Sequence, residues 1–127
     1  MAVEQQVFSE GEVDFGQYGV LFWNWSGQNS VVPANHTLEI TSLTLNFFPT
    51  GSATVGRADI AGRDAPNKGT GNAVWRLQVV YVEPQKTVHL TFPMALKLKA
   101  GGHVEVGFVV DGPGKIFLSA NGVLVGP

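Results

Sequence analysis

The sequence contains no cysteine, and charged residues make up only 14% of it. The absence of cysteine excludes disulfide bonds, thiol catalysis and the zinc sites that need thiolate ligands. The share of charged residues is well below the roughly 25% of an average domain. Because the cores of protein interfaces are depleted of charge, we interpret this shortage as a sign that another protein covers part of the surface.

Lysine and arginine are absent from residues 1–56, which carry five acidic residues, whereas residues 57–127 carry eight basic and five acidic residues. The two parts of the chain therefore have net charges of opposite sign. They can attract each other within one subunit or between subunits. The net charge of the whole chain is −2, so nucleic acid is not an expected partner.

Long apolar runs and helical periodicity are also absent. No run approaches the roughly 18 residues of a membrane span, and the first residues lack the basic and apolar regions of a secretory signal. We therefore expect synthesis in the cytoplasm and no membrane partner. The length of 127 residues is typical of one domain, which we predict to occupy residues 1–127.

Apolar residues alternate with polar ones through most of the chain, which is typical of half-buried strands. We predict about eight or nine strands, at residues 11–16, 19–25, 37–47, 53–60, 73–82, 87–92, 95–99, 103–110 and 115–125. Such regular spacing indicates a single antiparallel β-sandwich. A jelly roll is the expected topology, and an immunoglobulin-like sandwich is the alternative. In architecture alone, the chain is similar to small jelly-roll modules found on phage particles and in bacterial lectins.

Two local features refine this prediction. In residues 38–47 the apolar side chains occupy even positions up to Ile40 and odd positions from Leu43. This change of phase at Thr41-Ser42 predicts a β-bulge or a bend, because a strand otherwise keeps one face throughout. Asn121-Gly122 is the strongest two-residue hairpin signal in the chain.

Residues 61–72 form an irregular segment rich in glycine and polar residues. An irregular segment of this length is long for a compact domain. Such segments are either disordered linkers or loops that make functional contacts, and both alternatives stay open here.

The segment from Val20 to Trp25 is apolar on both faces. Leu21, Trp23 and Trp25 point one way, and Val20 and Phe22 point the other way. A sandwich strand buries only one face in the core, so the second face needs a loop, a ligand or another subunit. For the tryptophans, cover by the core or a loop, a subunit interface and a sugar-stacking platform are all open.

The first functional hypothesis is a non-catalytic structural protein. It forms a homo-oligomer, which we expect to be a trimer, and it decorates or cements a larger particle such as a phage capsid. The predicted interface residues are Phe22, Trp23, Trp25, Phe47 and Phe48. The alternative is a lectin-type domain that binds glycans. Its predicted ligand contacts are Trp23, Trp25, Trp75, Arg63, Asp64 and Asn67, with Asn24 beside them.

Catalytic and metal-binding patterns are weak in this sequence. The histidines have no metal-ligand spacing, and solvent-facing positions are expected for His36, His89 and His103. Glu10, Glu12 and Asp14 point the same way along one strand, so they do not straddle a bond as a glycosidase pair does. We interpret them as a solvated edge strand. We therefore expect no enzymatic activity, no metal and no cofactor.

Overall fold

The computed structural model of the chain describes residues 3–14, 17–21, 23–25, 31–49, 55–82, 87–110 and 114–127. Among these residues there is no helix of the length and apolarity that a membrane crossing requires. The strands are β1 (Val3–Asp14), β2 (Tyr18–Val20), β3 (Thr37–Pro49), β4 (Val55–Arg63), β5 (Ala73–Val82), β6 (Thr87–Lys99), β7 (His103–Val110) and β8 (Gly114–Gly126).

The strands form two four-stranded sheets, β1-β8-β3-β6 (the first sheet) and β2-β7-β4-β5 (the second sheet). All neighbouring strands are antiparallel. β1 pairs with β8, β2 with β7, β3 with β6 and β4 with β5, so the chain folds as one long hairpin wound around the core. Eight strands paired in this nested way form a jelly roll, as predicted. The immunoglobulin-like alternative has a different strand order and is wrong.

The core lies between the sheets and follows the alternation of the sequence. The inward row of β3 has no exposed surface at all: Leu38, Ile40, Leu43, Leu45 and Phe47. This row packs with Ile116 and Leu118 of β8 and with Val104 and Val106 of β7. Each large apolar side chain buried here stabilises the fold by roughly 1.5–3 kcal/mol. These rows therefore determine which face of each strand turns inward.

The predicted irregularity in β3 is present. The pairing of β3 with β6 and with β8 shifts register between Ile40 and Ser42. The extra residue, Thr41, restores the phase, because Ile40 and Leu43 are both fully buried on the inward face. The β-bulge predicted at Thr41-Ser42 is confirmed.

The hairpin predicted at Asn121-Gly122 is wrong, because both residues lie inside β8. Gly122 pairs with Ile40, beside the bulge of β3. A Cβ atom at this position would lie 2.6 Å from the carbonyl oxygen of Glu39. The glycine therefore allows two strand backbones to approach closely, and it does not form a turn.

β6 unites two strands that the sequence predicted separately. Its pairing with β3 skips residues 92–95, which bulge out opposite Thr41. The bulge contains Pro93 and Met94, and Met94 is 86% exposed. β6 lies at an edge of the first sheet, where a proline and a bulge are tolerated and oppose the addition of further strands.

The strand predicted at residues 19–25 is divided between the two sheets. β2 pairs with β7 of the second sheet, whereas Trp23 forms a bridge with Ser9 of β1 in the first sheet. The N–H of Asn24 also donates to the carbonyl oxygen of Phe8, at 3.0 Å. The segment thus crosses from one sheet to the other and closes the side of the sandwich where β1 and β2 lie.

Candidate binding surfaces

Three aromatic side chains project from the outer face of the first sheet. Phe8, Phe48 and Phe117 are 52%, 53% and 40% exposed. The rings of Phe48 and Phe117 meet edge to face, with their centroids 5.1 Å apart. Each lies next to an inward residue of its own strand, so alternation directs the ring outward. We call Phe8, Phe48 and Phe117 the aromatic face.

An open groove runs along β1 and β8 on the same outer face. Its larger part has a volume of about 450 Å³ and is lined by Glu10, Gly11, Glu12, Asn46, Phe117, Leu118 and Ser119. A smaller adjoining part, of about 340 Å³, extends past Phe8 and Asn121. Carboxylate, amide and hydroxyl oxygens therefore lie next to an aromatic ring along this groove.

The acidic row of β1 lies at a sheet edge, as predicted. β1 is an outer strand of the first sheet, and Glu10 and Glu12 are exposed. Glu12 forms an ion pair with Lys115 of β8 at 3.4 Å. The side chain of Asp14 lies outside the described residues. The two described carboxylates point to the same side of the strand, which is typical of an edge protected by charge.

The first two tryptophans are core residues, which corrects their assignment to an interface or a sugar platform. Trp23 and Trp25 are only 2% and 3% exposed, and their rings stack with centroids 5.5 Å apart. The reason is the crossing of their segment between the sheets, which turns both rings inward. Of the three alternatives for this segment, cover by the core is the one that the structure supports.

The remaining predicted contact residues have different positions. Phe47 belongs to the inward row of β3 and is fully buried, so its assignment to an interface is also corrected. Phe48 is exposed and belongs to the aromatic face. Phe22 lies outside the described residues. Trp75 is partly buried, and its Nε1 donates to the carbonyl oxygen of Lys97 at 3.1 Å, which joins β5 to β6.

Residues 64–72 form the β4–β5 loop, which folds over the outer face of β7. Two hydrogen bonds join its ends. The N–H of Asp64 donates to the backbone carbonyl oxygen of Asn72 (3.1 Å), and the N–H of Asn72 donates to Oδ1 of Asp64 (2.6 Å). Gly69 and Gly71 have φ angles of 78° and 80°, which glycine adopts without strain. Lys68 donates to the carbonyl oxygen of Tyr18 at 3.3 Å and attaches the loop to β2.

A buried ion-pair network holds this loop. Glu105 accepts hydrogen bonds from Nε of Arg63 at 2.8 Å, from Nε2 of His103 at 2.9 Å and from the N–H of Gly69. Burial raises the pKa of Glu105, but the bonds from Gly69, His103 and Arg63 outweigh it, so the pKa lies below the ordinary value of 4.5. The carboxylate is therefore the charged centre of the network.

His103 is fully buried, which corrects its predicted exposure to solvent. Its Nδ1 contacts the carbonyl oxygen of Ala65, and its Nε2 contacts Glu105. The ring thus lies between two hydrogen-bond acceptors and links β7 to the loop. The alternation His103-x-Glu105 indicated a shared face, but the sequence did not show that a distant loop covers that face.

Of the loop residues predicted to bind glycans, Arg63 and Asp64 have side chains that are already bonded within the chain. Arg63 contacts Glu105 and also donates to the carbonyl oxygen of Gly71 at 3.0 Å. The side chain of Asp64 accepts the bond from Asn72, and Asn67 is exposed. The described residues contain no group of three His, Cys, Asp or Glu side chains that would hold a metal.

No protein-family model matches the sequence, and no curated protein matches it. Among solved structures, a chain of the cyanophage Pam1 capsid asymmetric unit has a TM-score of 0.49 and 12% identity, over 95% of this chain and 85% of that chain. A chain of Bacillus endospore appendages, described as disulfide-linked pili, has a TM-score of 0.40 and 10% identity, over 98% and 87%.

A chain of the virus-like particle of the extra small virus of the prawn Macrobrachium rosenbergii has a TM-score of 0.33 and 8% identity, over 97% of this chain and 79% of that chain. Likenesses this distant do not bear on what the chain binds.

Proposed function

We propose that this chain is a non-catalytic structural protein whose copies assemble, as a trimer, into part of a larger particle such as a phage capsid. The observation that supports this function is the aromatic face. Phe8, Phe48 and Phe117 are between 40% and 53% exposed on one sheet of a chain with few charges. Large aromatic side chains are enriched where proteins contact each other.

The aromatic face is proposed as a contact between copies. Phe48 and Phe117 form a ridge, and the open groove along β1 and β8 lies beside it. The ridge of one copy can enter the groove of the next copy, and such a head-to-tail contact is the kind that a ring of three copies requires. Truncating an aromatic side chain at the centre of an interface typically costs about 2 kcal/mol or more, which corresponds to roughly a thirtyfold weaker association.

Light scattering on a sizing column, at several protein concentrations, tests this function. The wild type is expected to elute as an oligomer, and Phe48→Ser/Phe117→Ser is expected to dissociate at concentrations where the wild type does not. Val74→Ser/Val80→Ser is the matched control, because these side chains are similarly exposed, at 53% and 59%, on the second sheet. A wild type that stays monomeric at all concentrations would overturn the proposal.

Carbohydrate binding is a second candidate, which the groove favours. Its lining combines the Phe117 ring with the oxygens of Glu10 and Asn46, a combination suited to a sugar ring and its hydroxyl groups. The residues involved differ from the tryptophans and loop residues predicted from sequence. Calorimetric titration with a panel of glycans is expected to give binding that Phe117→Ala removes, and no heat with any glycan would eliminate this candidate.

A further inference from the structure

The two edges of the first sheet carry opposite charges. β1 forms one edge and presents the exposed carboxylates of Glu4 and Glu10. β6 forms the other edge and presents the exposed side chains of His89 and Lys99. The charge asymmetry of the sequence is therefore visible in the fold. The acidic N-terminal strand and a strand from the basic part of the chain lie at opposite edges of one sheet.

These charges are also aligned in register across the sheet. Residues that pair across neighbouring strands form straight rows on one face. The first row runs from acid to base through Glu10, Ser119, Thr44 and His89. The second row does the same through Glu4, Val125, Thr37 and Lys99. These two rows thus join a carboxylate on β1 to a basic side chain on β6, whereas the row of Glu12 ends at Thr87.

Other charges on this face are already paired within the chain. Glu12 contacts Lys115 at 3.4 Å, and Glu39 is 3.9 Å from Lys97. Within the described part of the chain, the carboxylates of Glu4 and Glu10 and the ammonium of Lys99 have no ion pair.

The ring of His89 bonds to the Thr44 hydroxyl through Nδ1, at 2.6 Å. Its Nε2 is the nitrogen left to bond a group beyond the edge. The charged groups without an ion pair, those of Glu4, Glu10 and Lys99, therefore lie at the ends of the two rows that run from acid to base.

We propose that the β6 edge of one copy lies beside the β1 edge of a second copy, with Lys99 facing Glu4 and His89 facing Glu10. This inference rests on the proposed assembly function and names a contact separate from the aromatic face. Three successive antiparallel pairings separate β1 from β6, so the two edges run in opposite directions. A second copy whose β1 lies beside this β6 is therefore antiparallel to it, and both charged rows stay aligned when that copy is also rotated about an axis along the strands.

Side chains carry this contact, because backbone pairing is blocked in the middle of both edges. On β1, the N–H of Phe8 donates to Oδ1 of Asn24 at 2.7 Å, so Asn24 occupies the edge. On β6, the bulge with Pro93 and Met94 interrupts the edge. A contact between two different edges is heterologous, and it produces a closed ring or an open fibre. The proposed trimer requires the ring, in which each copy is rotated relative to the last about an axis along the strands.

Two charge-reversed variants and their combination in one chain test the edge contact. Glu4→Lys/Glu10→Lys makes both edges basic, and His89→Glu/Lys99→Glu makes both edges acidic. Each variant alone is expected to associate at least about tenfold more weakly than the wild type, because like charges then face each other. The variant that carries all four substitutions in one chain is expected to recover assembly, since every basic β1 edge then faces an acidic β6 edge. Arg76→Glu, on the second sheet, changes the charge by as much as Lys99→Glu does and is expected to assemble as the wild type does.

Light scattering and unfolding curves on the same samples separate the outcomes. If the charge-reversed variants are folded and assemble like the wild type, the edge contact is wrong while the assembly function stands. If each variant dissociates but the variant with all four substitutions does not recover, the edges do not face each other and the inference fails. If the wild type never assembles, the proposed function itself fails.

Discussion

Replacing Glu105 by glutamine tests whether its carboxylate holds the β4–β5 loop on β7. The substitution keeps the shape of the side chain but removes its charge. The amide oxygen of glutamine replaces a carboxylate that accepts bonds from Arg63, His103 and Gly69. The partners remain buried or half-buried, with 21% of the Arg63 side chain and none of the His103 side chain exposed. Glu105→Gln therefore leaves these donors with a weaker, uncharged acceptor.

The magnitude follows from the burial of the pair. Removing one partner of a fully buried ion pair costs about 3–5 kcal/mol. Arg63 keeps its bond to Gly71 and reaches solvent in part, and glutamine retains one acceptor oxygen, so the expected loss is smaller, about 2–3 kcal/mol. The matched control is Glu12→Gln, which removes the same charge from an exposed pair with Lys115. Such a surface pair contributes less than about 1 kcal/mol.

Urea unfolding followed by tryptophan fluorescence measures the global loss, since Trp23 and Trp25 are buried in the core. Trypsin cleavage after the exposed Lys68 and hydrogen exchange at the Gly69 N–H measure the loop itself. Both are expected to increase in Glu105→Gln and to stay unchanged in Glu12→Gln. Equal stability of the two variants, together with unchanged cleavage at Lys68, would refute the role of Glu105.

The contribution of Glu105 to the free energy of unfolding is expected to depend on pH. The pKa of Glu105 is lower in the folded chain than its ordinary value of 4.5. Its stabilisation is therefore complete above about pH 4.5 and is lost as the pH falls through the folded pKa. We expect the difference in unfolding free energy between the wild type and Glu105→Gln to shrink below pH 4.5. A difference that stays constant down to the acid unfolding transition would contradict this.

Two further substitutions test the packing of the sandwich. Gly122→Ala is expected to destabilise the fold by about 1–3 kcal/mol in urea unfolding, because its Cβ would lie 2.6 Å from the oxygen of Glu39. Gly11→Ala, whose Cβ would meet nothing closer than 3.8 Å, is expected to be almost neutral, and equal effects would argue against the close approach. Trp75→Phe is expected to cost about 1 kcal/mol through loss of the bond to Lys97, and an unchanged midpoint would show that this bond adds nothing.

The sequence indicated much of the fold and little of the candidate surfaces. Alternation predicted the inward rows, and the phase slip at Thr41-Ser42 predicted a bulge that the structure contains. Phe48 was among the predicted interface residues and is exposed, but the sequence did not show that Phe117 meets it across the sheet. The charge asymmetry was visible from the start, whereas the rows that align Glu4 with Lys99 depend on the strand order.

Patterns among neighbouring residues determine the direction in which the side chains of a strand point. Only the tertiary structure determines which residues distant segments cover. Alternation with a period of two sets the faces of a strand, since successive side chains point to opposite sides. The hairpin expected at Asn121-Gly122 failed because the bulge of β3, some eighty residues earlier, requires a glycine opposite it. The burial of Trp23 and His103 also depends on distant segments. Trp23 is buried because its segment crosses between the sheets, and His103 is buried because the β4–β5 loop covers it. Both positions follow from the pairing of strands that lie far apart in the chain.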